Sequence, residues 1–226
     1  MFNNKKRITI IETTLVPLEE IRKLFSEILP EVDLVSIVDD SLLKEVMAAG
    51  KVTPYVIERI CGYCVFAERI GSDLIFNQCS SVGEVVDIAQ KMVGVPILKT
   101  DLPMAEEAVK IGGKIGVVAT LNTTLGPTMR LIQKTADTLG KKIDIIPKIC
   151  EGAFEKISSG DKKAHNEIIK GTISELSKET NVIALAQGSM AVLIPELKGV
   201  MVPVLSSPRS GVMRAREMID KIQHNG

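Results

Sequence analysis

The chain has 226 residues, 45% of them hydrophobic and 25% charged, enough for one large domain or two small ones with a sizeable core. Its 28 basic and 28 acidic residues cancel, so no basic surplus directs it to nucleic acid or to an anionic membrane. Aromatic residues are only 3% and Trp is absent, which argues against base-stacking platforms, and four cysteines in this length do not make a disulfide scaffold.

From the N-terminus, MFNNKKRITIIE has basic residues, but its apolar run stops at Glu12, too soon for a signal peptide. Short β-branched runs then alternate with longer amphipathic ones. The predicted strands are Arg7–Glu12, Asp33–Val38, Asp73–Gln78, Val95–Leu98, Lys114–Ala119, Ile143–Ile146, Val182–Ala186 and Val200–Leu205. Helical patterns lie between them, among them PLEEIRKLFSEIL, PYVIERICGYCVFAERI, GEVVDIAQKMV and NEIIKGTISELSKE. Nearly all-apolar strands separated by helices predict parallel sheet covered on both faces, with right-handed crossovers. The longest uncharged stretch, Val182–Pro195, falls short of the roughly 18 apolar residues of a membrane span. A soluble, cytoplasmic protein with free thiols is expected.

Weak motifs fall away in the same pass. Cys61 and Cys64 form a CxxC inside a helical pattern, with no second pair or nearby His to complete a zinc site. IGGKIG (Ile111–Gly116) precedes a strand and reads as a helix end and turn, not a phosphate cradle. His165 and His224 are expected to be solvated, and two His leave little basis for a Ser-His-Asp arrangement. No metal site is predicted.

An internal repeat organises the chain. ITIIET begins at Ile8 and IGVVAT at Ile115, 107 residues later. SDLIFNQCSS begins at Ser72 and TNVIALAQGS at Thr180, 108 residues later, and VPIL at Val95 matches VPVL at Val202, again 107 later. This predicts two similar α/β lobes, residues 1–99 with 206–226 and residues 100–205, and a ligand site in the cleft between them.

In open parallel sheets ligands bind beyond the C-terminal ends of the strands. The residues there are Glu12, Thr13, Thr14, Cys79, Ser80 and Ser81 in the first half. In the second they are Thr120 to Thr124, Gln187, Gly188 and Ser189. Cys79 lies between a strand and the first turn of a helix, where free N–H groups favour a thiolate and, with the serine hydroxyls, can hold a carboxylate. For Thr120, Thr123 and Thr124, helix capping and ligand contact both remain open. Arg209, between the last strand and last helix, can pair with a second carboxylate of a diacid or be a solvated surface cation.

Two α/β halves, a Cys79-Ser80-Ser81 turn after the third strand and an Ala119-Thr120-x-x-Thr123 turn opening the second half resemble the aspartate/glutamate/hydantoin racemase superfamily. The resemblance covers nearly the whole chain. It implies a cofactor-independent racemase or isomerase acting on a small amino acid or carboxylate, without metal or pyridoxal phosphate. It also implies a homodimer or higher homo-oligomer. Racemases of this family set one cysteine on each face of the substrate, and Cys79 matches the first. An auxiliary acidic residue of the family's glutamate racemases lies near Glu12. The second-half cysteine is replaced: the motif reads Leu185-Ala186-Gln187-Gly188-Ser189-Met190. The repeat offset by itself pairs Cys79 with Gln187, whose amide hydrogen-bonds but does not shuttle protons. Three readings stay open: another acid or base on the second face (Glu12, Cys150 or Glu151), one-sided chemistry such as a lyase or decarboxylase, or a non-catalytic carboxylate-binding relative.

Overall fold

The structure, a computed structural model, describes residues 5–15 and 18–224, with side chains as far as 222. Pro17, in the first helical pattern, and the His224 side chain lie outside the described residues. The chain divides into two compact units, Met1–Thr100 with Pro208–Gly226, and Asp101–Ser207.

The first unit is built on β1 (Arg7–Glu12), β2 (Asp33–Val38), β3 (Leu74–Asn77) and β4 (Ile97–Lys99), all parallel in the order β2-β1-β3-β4. Its helices are α1 (Leu18–Ile28), α2 (Ser41–Ala49), α3 (Pro54–Arg69), α4 (Val85–Ala89) and, after the chain returns, α9 (Ser207–His224). Strand alternation sorts the side chains between two faces. Ile8, Ile10, Leu74, Phe76 and Leu98 pack with Ile21 and Phe25 of α1 and Val212, Ala215 and Ile219 of α9. Ile11, Ile75 and Ile97 face the other way, onto Leu42 and Val46 of α2, Val56 and Ile60 of α3, and Val85 and Ala89 of α4. Phe25 and Phe76 meet edge to face, ring centroids 5.2 Å apart.

Local chemistry sets the helix ends. The Thr53 hydroxyl accepts from the Val56 N–H at 3.2 Å, and Pro54 follows at the first helical position, where no N–H is needed. Asp39 accepts from the Tyr63 hydroxyl at 2.8 Å and from Arg59 at 3.0 Å, and Arg59 also pairs with Glu45. This network ties α2 and α3 to the end of β2. Cys61 and Cys64 are both buried within α3, where burial pushes Cys64 up to about 12 and raises Cys61, so both stay protonated packing residues.

The second unit repeats the plan with β5 (Gly113–Ala119), β6 (Ile143–Ile149), β7 (Val182–Leu185) and β8 (Val204–Leu205), parallel in the order β6-β5-β7-β8. α5 (Leu102–Ile111) and α6 (Asn122–Thr138) cover one face, with Ile115, Val117, Ala119, Val182, Ala184 and Ala186 between them. α7 (Ala153–Ser158) and α8 (Lys162–Leu176) cover the other. IGGKIG does end a helix and begin a strand, with Gly112 capping α5 at φ 74°. VMVPVL keeps only two residues of strand, and the GEVVDIAQKMV pattern gives a helix of five, α4. His165 is half-buried rather than solvated, one ring nitrogen 2.8 Å from the Ala153 carbonyl oxygen. Among the described residues no helix is long and apolar enough to cross a membrane.

One glycine is fixed by a close approach. A Cβ on Gly211 in α9 would lie 2.7 Å from the Thr100 carbonyl oxygen and 2.8 Å from the Thr100 hydroxyl. Alanine in a helix normally gains about 0.5–1 kcal/mol over glycine, but overpacking against backbone costs about 1–3 kcal/mol. Gly211→Ala is therefore expected to lower stability, by roughly 2–4 °C in Tm per kcal/mol in a chain of this size. A thermal melt that is unchanged or raised contradicts the close contact.

Candidate active site

The residues that end β1 and follow β3 come together in the first unit. The ladder continues past the last strand residue, with the Gln78 N–H donating to the Ile11 carbonyl at 3.1 Å, and this places Thr13 beside Cys79. Cys79 is extended, at φ −103° and ψ 116°, and half-buried against the α2–α4 side of the sheet. A 3-10 turn, Ser80–Val82, follows it, and the Asn77 amide donates to the Cys79 carbonyl at 3.0 Å. Four groups lie near the thiol: the Thr13 hydroxyl, the Ser81 and Val82 N–H groups and the Ser81 hydroxyl, which has no hydrogen-bond partner. All four favour the thiolate, yet burial outweighs them and pushes the Cys79 thiol above its ordinary value. The N–H groups of the turn favour the thiolate, and burial sets the net direction. The turn is only three residues long, too short for a sizeable dipole, and desolvation dominates. Cys79 rests as a thiol.

The second unit carries the same device with different chemistry. Gln187 is extended at φ −127° and ψ 125° and precedes a 3-10 segment, Gly188–Glu196, so it holds the backbone position that Cys79 holds in the first unit. Thr120 holds the place of Thr13. Its N–H donates to Gln187 Oε1 at 2.7 Å and its hydroxyl at 3.0 Å. Both bonds end on one oxygen, so the amide is fixed with its carbonyl occupied, and Gln187 is left a donor of two N–H bonds. Thr124 bonds the Leu121 carbonyl with its hydroxyl at 2.9 Å, a local capping role in the first turn of α6. Thr123 is half-buried with a hydroxyl that has no partner. Thr14, Ser80 and Gly188 are half-buried and Ser189 is exposed.

Other candidates go elsewhere. Glu12 is the last residue of β1, and alternation turns it to the α1/α9 face, away from the thiol. It is 1% exposed, its Oε1 has no hydrogen-bond partner, and burial raises its carboxyl to about 8. Arg209 is exposed and paired with Glu27 at 2.7 Å, so its guanidinium serves to join α9 to α1. Cys150 packs with Val118, Ala153 and Ile169, and burial raises its thiol. Glu151 is exposed. Among the described residues no three His, Cys, Asp or Glu side chains are grouped to hold a metal ion. The Thr13–Cys79 and Thr120–Gln187 pairs escaped the sequence reading. The repeat offset relates Thr13 to Thr120 as it relates Cys79 to Gln187, and that was the available signal.

These features define a chain of two parallel α/β units with a half-buried free cysteine just past the end of the third strand. The Asp/Glu/Hydantoin racemase family matches residues 11–215, and the chain belongs to that family. Solved structures share the fold. Glutamate racemase from Francisella tularensis subsp. tularensis SCHU S4, in complex with D-glutamate, is 16% identical with a TM-score of 0.74, over 98% of this chain and 83% of that one. Allantoin racemase from Klebsiella pneumoniae is 16% identical with a TM-score of 0.69, over 96% of this chain and 88% of that one. The aspartate racemase of Picrophilus torridus is 17% identical with a TM-score of 0.69, over 94% of each chain. No curated protein sequence matches the chain.

Proposed function

We propose that the chain is a cofactor-independent racemase or isomerase of a small amino acid or carboxylate, with Cys79 as the acid/base thiol. The observation that carries this is Cys79 beside Thr13, among four polar groups that favour its thiolate, in a chain of the racemase family. A thiol held above its ordinary value is a proton donor at rest. The same four groups favour the thiolate left behind, so one side chain serves as acid and then as base. Ser80 and Thr14, half-buried nearby in sequence, are the hydroxyls available for a carboxylate.

Gln187 gives this reading its character. Its fixed N–H donors suit an anionic oxygen, either a carboxylate or the enolate that forms when the adjacent carbon loses a proton. It cannot transfer a proton itself. That supports chemistry in which Cys79 alone handles the proton, and it favours a second reading, a one-thiol lyase or decarboxylase.

Incubation in D₂O with a panel of α-amino and dicarboxylic acids separates the readings. Deuteration at the α-carbon with loss of chirality is the result for a racemase. Release of CO₂, or exchange with retained configuration, is the result for one-sided chemistry. Binding without exchange sinks both. With the active substrate in hand, Gln187→Ala is expected to lower kcat by about 10²–10³-fold, as for loss of an oxyanion donor. A rise in KM alone would assign Gln187 to ground-state binding.

A further inference from the structure

The first unit contains a polar row that the thiol chemistry does not use. Glu12, Gln78 and Thr100 occupy successive positions across β1, β3 and β4, one step beyond Ile10, Phe76 and Leu98 on the same sheet face. The Gln78 N–H bonds the Ile11 carbonyl and the Thr100 N–H bonds the Asn77 carbonyl at 2.9 Å, so the ladder still fixes their register. A Cβ on Gly211 would meet both Thr100 Oγ1 and Phe76, which sets the Thr100 hydroxyl on that face. Neighbouring strands run about 4.8 Å apart, so the three side chains stand in one row. Glu12 Oε1, Gln78 Oε1 and Thr100 Oγ1 are all buried without a hydrogen-bond partner, and Glu12 and Thr100 are each 1% exposed. In the second unit the repeat puts Ala119, Ala186 and Ser207 in these places, and both alanines lie in the apolar core. The row belongs to the first unit alone.

Three orphaned oxygens in a dry place are costly unless something satisfies them. Among the described residues no cation is bonded to them. On α9, Arg209 is paired with Glu27, Arg214 with Glu217, and Arg216 with Glu31 and Asp220. On α1, Arg22 and Lys23 are exposed, Arg22 bonding Ser36. The acids of α1, Glu19, Glu20 and Glu27, are exposed as well. Asp101, next to Thr100 in the chain, has an interaction of its own. Hard cations take oxygen ligands of this type, namely carboxylate, amide carbonyl and hydroxyl. A single carboxylate balances a single charge, and a divalent ion would leave net charge in the core.

We propose that Glu12, Gln78 and Thr100 form a buried site for one compact monovalent cation of the sodium, potassium and ammonium class. The cation and the Glu12 proton compete for the same oxygens, so binding expels the proton. The site stands independently of the racemase reading, because its test measures binding and not turnover.

Thermal unfolding at pH 8 in sodium, potassium or ammonium chloride is compared with tetramethylammonium chloride at equal ionic strength. At least one compact cation is expected to raise Tm above the bulky one. The affinity should weaken by about tenfold per pH unit below the Glu12 titration. In weakly buffered protein at pH 7, the same salt should release a proton from each chain that binds. Glu12→Gln removes both responses, and Thr100→Val weakens the Tm response while keeping the side-chain shape. Equal melts in all four salts overturn the site. So does a response that persists in Glu12→Gln, or one without proton release.

Discussion

Cys79→Ala is expected to lower turnover by about 10²–10⁴-fold, the usual worth of a positioned acid/base group, while the protein remains folded. The side chain is small and half-buried, so its loss leaves little cavity. Cys79→Ser is the sharper variant. A hydroxyl still meets the same polar neighbours but does not ionise in the working range. It should fold like the parent and be nearly as inactive as the alanine variant. The direction of the thiol shift adds a pH signature. Site-resolved alkylation of Cys79 by iodoacetamide should keep rising beyond the pH at which an ordinary thiol levels off. Thr13→Val removes one of the groups that favour the thiolate and should move that profile further alkaline, and Thr13→Ser should restore it. Full turnover in Cys79→Ser would remove the thiol from the mechanism.

Glu12 carries the second large effect, on stability. Its carboxyl is raised from 4.5 to about 8 by burial, so the folded chain holds a proton that the unfolded chain has released between those values. The unfolded state therefore binds fewer protons there, and stability falls as pH rises. The contribution is complete below 4.5 and is lost on passing through about 8. Each unit is worth about 1.4 kcal/mol, so the whole window amounts to several kcal/mol. Urea unfolding in tetramethylammonium buffers should show this slope in the parent and its absence in Glu12→Gln. Parallel profiles for the two proteins would mean that Glu12 is hydrated and titrates normally.

Much of this was legible in the chain. The Arg7–Glu12 and Asp33–Val38 strands follow from β-branched apolar runs, and the structure keeps both boundaries. Val200–Leu205 did not hold, because apolar residues alone do not make a strand without a full neighbouring ladder, and only Val204 and Leu205 pair with β7. The polar neighbours of His165 predict a solvated ring, but one ring nitrogen lies against the Ala153 carbonyl, 12 residues away in the sequence. The 107–108 residue offset set Gln187 against Cys79, and the matching backbone angles of the two residues agree with it.

What the sequence determined alone is periodic: the order of strands and helices, the repeat, and the place of a cysteine in one half and a glutamine in the other. These follow from local rules, since strand and helix periods act along the chain. The tertiary structure decided which neighbours those residues meet. It gave the Cys79 thiol to Thr13 and turned Glu12 to the other face. It also locked the Gln187 carbonyl onto Thr120, and it made burial outweigh the polar groups around the thiol in its proton affinity. Desolvation and hydrogen-bond partnership depend on what stands within a few ångströms in space, and in this fold those neighbours come from strands some 66 residues apart, as Thr13 and Cys79 do.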